Sequence, residues 1–156
     1  MKAKEAGIPP LRRAGPDDVP AIRDLSRLAY AKWVPLIGRE PLPMTADYER
    51  AVAAHMIDLY EVDGALRALI ETVDEEGHLL IENLAVHPDL QGNGLGELLL
   101  AHARGLARDL GHREIRLYTN AAFASNIAFY AKRGFAEYAR EAFPKGGFLV
   151  RMRQFQ

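Results

Sequence analysis

The chain contains no cysteine, which excludes disulfides, thiolate metal sites and a cysteine nucleophile, and fits a cytoplasmic setting. Neither charge is in excess: 20 Lys and Arg stand against 21 Asp and Glu, a formal net charge of -1. That balance gives no reason to expect nucleic acid or an anionic membrane as a partner. No apolar run approaches the roughly 20 residues of a membrane span, and no basic-then-apolar leader opens the sequence. Internal repeats and low-complexity tracts are absent as well. His55, His78, His87, His102 and His112 lack metal-ligand spacing, so no metal is expected. What is present, 156 residues of which 49% are apolar and 26% charged, is a globular composition. It suits a single domain over 1–156 that buries roughly two thirds of its unfolded surface.

The most informative stretch is the apolar strand pattern over 78–87, which leads through Pro88 into Gln91-Gly92-Asn93-Gly94-Leu95-Gly96. An amphipathic helix, Glu97 to Leu110, follows and is closed by Gly111. A strand, a glycine loop and a helix N-terminus in this order form an anion cradle, where bare N–H groups and the helix dipole converge.

Around it the periodicities predict further elements. Residues 1–10 form a loose arm, and 11–14 a first strand. A helix begins at Pro16-Asp17-Asp18, with Val19, Ile22, Leu25, Leu28 and Ala29 on one face. Trp33 to Pro43 is broken by proline and glycine into an irregular loop of unusual apolar mass, suited to a lid or to the wall of a cleft. Thr45 caps a second helix through about Asp58, striped by Tyr48, Val52, Met56 and Leu59. Asp63-Gly64 turns a hairpin between 60–62 and 65–73. Strand 114–119, a short helix 125–133 stopped by Gly134, and strands 135–143 and 148–155 complete the chain. The expected fold class is α+β (mixed α/β), with about seven strands in a mixed sheet and about four helices flanking it.

The glycine loop is not a Walker A loop, because no Gly-Lys-Ser/Thr ends it. It also fails as a dinucleotide fingerprint: Glu97 stands where the last glycine belongs, and no ribose-binding acid follows. Gln91-x-x-Gly94-x-Gly96, preceded by Leu84-Ala85-Val86-His87-Pro88, instead resembles the acetyl-CoA loop of the GNAT N-acetyltransferase superfamily. Asn126-Ile127-Ala128-Phe129-Tyr130 followed by Gly134-Phe135 is similar to that family's late segment. The resemblance covers about residues 78 to 138 and implies the GNAT fold, in which the cofactor wedges between two splayed parallel strands.

It further implies that Gln91, Gly92, Asn93, Gly94, Leu95 and Gly96 offer N–H groups to the pyrophosphate of coenzyme A. Leu84, Ala85 and Val86 would pair with the pantetheine arm through their backbone, and Asn126 would bond that arm. Tyr130 resembles the general acid for the leaving thiolate. A general base is also needed, since the acceptor ammonium must lose a proton. Glu82, a carboxylate within an apolar strand, is the first candidate, with Glu71 or water as rivals. Lys132 or Arg133 is placed to meet the 3′-phosphate. Tyr30, Trp33, Met44, Tyr48 and Tyr118 are expected to build the acceptor side. The implied activity is direct transfer of acetyl from acetyl-CoA to a primary amine of a small molecule or peptide. Alternatives are a protein N-terminal or lysine amine, or a non-catalytic acyl-CoA sensor. The strand 148–155 could pair across a homodimer.

Overall fold

The structure, a computed structural model, describes residues 11–156; the arm expected over 1–10 lies outside the described residues. The elements run β1 (Arg12–Arg13), α1 (Val19–Tyr30), a helical turn (Val34–Ile37), α2 (Tyr48–Ala54), β2 (Met56–Val62), β3 (Ala65–Glu75) and β4 (His78–Val86). They continue with α3 (Leu95–Asp109), β5 (Glu114–Asn120), α4 (Ala124–Lys132), β6 (Ala136–Ala142) and β7 (Phe148–Phe155). One seven-stranded sheet takes the order β1-β2-β3-β4-β5-β7-β6, and β4 with β5 is its parallel pair. This is the mixed α+β architecture expected from the periodicities. The Asp63-Gly64 hairpin forms as expected, with φ of 52° and 80° at its two central residues.

Two segments depart from expectation. Asp47 rather than Thr45 caps α2, accepting from the Arg50 N–H at 3.1 Å, and the helix stops at Ala54 instead of Asp58. Met56 and Leu59 therefore belong to β2, not to a helical stripe. A short apolar run at this spacing suits either period, and the ladder of β2 with β3 from Met56 onward decides for the strand. The loop after α1 is not irregular throughout, because Val34–Ile37 makes a helical turn closed by Gly38 at φ 74°.

Both faces of the sheet are apolar, so each is covered. Leu99, Leu100 and Ala103 of α3 pack on Ile70, Leu79, Ile81 and Ile115. Ile22 and Leu25 of α1 pack with Ile57, Leu59, Leu69 and Ala85 on the other side. Full burial of each leucine or isoleucine among them contributes roughly 1.5–3 kcal/mol.

The feature that shapes the site is a bulge in the middle of β4. Thr72 of β3 lies opposite Ile81, and the neighbouring Glu71 lies opposite Asn83, so Glu82 has no partner. One extra residue reverses the alternation of the strand. Leu79 and Ile81 point toward α3, whereas Asn83 and Ala85 point toward α1. Pairing of β4 with β5 covers only Leu79–Ile81 and Ile115–Leu117. Past the bulge the strands continue to Val86 and Asn120 unpaired with one another, leaving a wedge between them.

Candidate active site

Two cavities meet at the wedge. The first is lined by Gln91, Gly92, Leu95 and Gly96 together with Trp33 and Phe129. The second lies under the loop 37–46 and holds Glu71, Glu82, Tyr48 and Tyr118. Tyr30, Leu84, Asn126 and Tyr130 line both, and so mark the junction.

The first cavity is built mainly from backbone. The His87 N–H donates to the Arg67 carbonyl at 2.8 Å, which sets the alternation of the β3–β4 ladder. Leu84 and Val86 then turn their N–H and C=O groups into the wedge, while those of Ala85 face Leu69 on β3. The expected backbone role of Ala85 is thereby removed. The Leu84 carbonyl accepts from the Tyr30 hydroxyl at 3.2 Å, and the Val86 carbonyl from Gln91 Nε2 at 3.0 Å. Gln91 Oε1 in turn accepts from Lys32 Nζ at 2.9 Å.

In the loop, Gly92 and Gly94 have φ of 84° and 87°, which explains glycine at both positions. Gly96 has another reason: a Cβ there would stand 2.8 Å from the Phe129 ring. Gly94 is the N-cap of α3, so the first-turn N–H groups of the helix open onto the loop. Glu97, the acid in that turn, is drawn off by Arg133 Nε at 2.7 Å and Arg104 Nη1 at 3.4 Å. Arg133, a candidate for the 3′-phosphate, is thus engaged with Glu97 and lies 3.9 Å over the Phe129 ring. These donors and this cleared field fit a pyrophosphate with an amide-bearing arm.

The second cavity is built from side chains. The bulge presents Glu82, whose Oε2 accepts from the Tyr118 hydroxyl at 2.6 Å. Burial, reinforced by that bond, pushes the Tyr118 phenol up. Glu71 is 4% exposed and its Oε2 lies 2.7 Å from His55 Nδ1. Burial pushes the Glu71 carboxyl above its ordinary range, a rise opposed by the bond to His55. Asn83, which the sequence reading passed over, is a buried hub. Its Oδ1 accepts from the Tyr30 hydroxyl at 2.9 Å, and its Nδ2 donates to Tyr48 Oη at 3.2 Å and Ser26 Oγ at 3.3 Å. The Tyr48 hydroxyl donates to the Pro43 carbonyl at 2.6 Å and anchors the loop above. Burial raises its phenol to about 12.

The expected acceptor residues divide. Tyr30, Tyr48 and Tyr118 line the second cavity. Trp33 does not; it lies on the first cavity, stacked on Phe123 at 4.3 Å between centroids. Met44 lines neither, being buried at 6% exposure with its carbonyl held by Arg27. Proline on both sides of Leu42 turns the chain so that Leu42 and Pro43, instead of Met44, meet the cavity. Arg39 and Phe143 were not foreseen, since 39 and 143 are brought together only by the tertiary fold. Arg39 Nη2 donates to the Gly146 carbonyl at 2.9 Å and its guanidinium lies 4.9 Å from the Phe143 ring, roofing the cavity. His55, His87, His102 and His112 each face a carboxylate, and no group of residues suited to a metal occurs among those described.

Tyr130 stands at the junction, 8% exposed, and among the described residues its hydroxyl has no hydrogen-bond partner. Burial pushes its phenol up, so it stays protonated at neutral pH. A carboxylate on one side of a wedge and a neutral phenol at its apex can take and give protons across one bound group.

Residues 20–135 match the model of the "Acetyltransferase (GNAT) family". The chain is similar in structure to a putative GNAT acetyltransferase from Desulfovibrio desulfuricans (21% identity, TM-score 0.77, 94% of this chain and 98% of that one). It is also similar to the ribosomal-protein-S18-alanine N-acetyltransferase from Escherichia coli (22%, TM-score 0.73, 94% and 92%). A third similar structure is the PaiA N-acetyltransferase from Thermoplasma acidophilum in complex with coenzyme A (17%, TM-score 0.73, 94% and 98%). With a family model spanning most of its length and a wedge of the right construction, the chain belongs to the GNAT family of acetyl-CoA-dependent acetyltransferases.

Proposed function

We propose that this acetyltransferase acts on a primary amine of a small molecule or short peptide, with Glu82 as general base and Tyr130 as general acid. The observation that carries the reading is the bulge, which turns Glu82 into the second cavity while Val86 stays on the first and Leu84 borders both. Bound acetyl-CoA supplies the acetyl group as an activated thioester. Its pyrophosphate is held by N–H groups of Gly92, Asn93, Gly94, Leu95 and Gly96, its arm by the N–H groups of Leu84 and Val86 and by Asn126. Lys32, at the end of Gln91, adds a cation to the same groove.

In the acceptor cavity Tyr118 holds one oxygen of Glu82, which leaves Oε1 to take a proton from the incoming ammonium. Tyr130 Oη keeps its proton until negative charge develops on the sulfur beside it. Each such proton transfer is worth roughly 10²–10⁴-fold in rate. Asn83 fixes Tyr30 and Tyr48 as the cavity wall. The Arg39 clasp on Gly146 favours a small acceptor over a folded protein surface, because a roof must be lifted to admit the latter. The test is thiol release from acetyl-CoA with a panel containing an arylalkylamine, a polyamine, an amino acid amide and a short peptide. Turnover with at least one is expected; coenzyme A binding without turnover on any of them supports the sensor alternative.

A further inference from the structure

In the reaction proposed above, on which this inference rests, Glu82 gains a proton at every turnover and must lose it before the next. The tyrosines on the cavity wall cannot take it, because each phenol is already protonated. Arg39 is a permanent cation. Among the described lining residues, Glu71 is the other carboxylate. It sits beside the bulge, opposite Asn83 in the ladder, and faces the same cavity as Glu82. Its far side touches His55, with Oε2 and Nδ1 2.7 Å apart. The His55 side chain, just past the end of α2, is 30% exposed, whereas that of Glu71 is 5% exposed. The pair therefore runs from the cavity wall to the protein surface.

We infer that Glu71 and His55 form a proton outlet that returns Glu82 to its carboxylate form after each transfer. The O–H bond on Glu82 breaks and one forms on Glu71, the proton crossing the cavity that both carboxyls line. Glu71 Oε2 then passes its proton to the lone pair of His55 Nδ1, and the imidazolium releases a ring proton to solvent. The neutral ring is restored once proton exchange with solvent returns the tautomer with Nδ1 free, and neither an oxidant nor a further co-reactant is needed. The titratable groups facing Glu71 are Glu82 on β4, Tyr48 on α2, Tyr118 on β5 and His55 itself. Once Glu82 has given up its proton, its restored charge favours the protonated form of Glu71. Glu71 and His55 are both relay groups that act through Glu82 and touch neither substrate.

The test uses the full chain with acetyl-CoA and the panel amine on which it is fastest. His55→Ala should lower kcat by about tenfold or more with KM for both substrates unchanged, and added imidazole should restore kcat in a concentration-dependent way. His55→Gln, which keeps a donor toward Glu71 but carries no proton, should lose as much without loss of melting temperature. Glu71→Gln should also fall, and imidazole should not restore it. Wild-type kcat in His55→Gln overturns the outlet, as does a loss in His55→Ala that sits in KM or ignores imidazole. If the unmodified chain turns over no amine, the functional reading above fails and the outlet falls with it. Turnover unaffected by the His55 variants removes the outlet alone.

Discussion

The two sides of the wedge are made of different material. The proposed cofactor side is backbone: positive-φ glycines, a helix start and two strand residues whose N–H groups point into the gap. The proposed acceptor side is side chain: Glu71, Glu82, Tyr48, Tyr118 and Arg39, drawn from five separate parts of the sequence. A backbone cradle recognises what is constant in every reaction, phosphates and amides. A side-chain cavity can change its lining by substitution while the sheet stays intact. The bulge at Glu82 is where one gives way to the other, and it does so within two residues of one strand.

This division predicts how variants separate. Glu82→Gln has the largest expected effect, a loss of about 10²–10⁴-fold in kcat, with acetyl-CoA affinity by calorimetry unchanged. An equal loss of affinity would break the division. Tyr130→Phe, at the junction, comes next: kcat falls by about 10²-fold, again with little change in affinity. On the other side Gly94→Ala imposes left-handed backbone strain on a Cβ-bearing residue, about 1–2 kcal/mol. It should weaken acetyl-CoA binding by about 5–30-fold while leaving kcat at saturation near the wild-type value.

The smallest effect concerns stability. Glu71 has its folded-state pKa raised, so its neutral form is favoured by the fold. That contribution is complete below the ordinary carboxylate range and is lost as pH rises through the raised value. Melting temperature followed against pH should therefore decline less steeply from acid toward neutral pH in Glu71→Gln than in wild type. A parallel pair of curves would show that Glu71 titrates as an ordinary carboxylate.

The same division explains what was legible in the sequence. Gly92, Gly94 and the helix after them announce themselves because backbone geometry requires particular residue types at fixed spacing. Glu82 stood out for a different reason, as a carboxylate in an apolar strand, although the bulge that turns it into the second cavity did not show in the sequence. Glu82-Asn83, two polar residues in succession within an apolar run, is the trace it leaves in the sequence. Asn83 was missed because its partners Ser26, Tyr30 and Tyr48 lie 57, 53 and 35 residues away. Trp33 and Met44 were misplaced because a proline-rich loop carries no period from which a facing direction can be read. His55 and Glu71, 16 residues apart, meet only because α2 ends early and β2 turns back along β3.

The most direct measurement is a crystal structure of the chain with coenzyme A bound. The arm should lie in the wedge past Ile81 and Leu117, bonded to the N–H groups of Leu84 and Val86, with the sulfur beside Tyr130 Oη and the Glu82 cavity open beyond it. An arm held elsewhere, or a sulfur on the far side of the sheet from Glu82, would contradict the account.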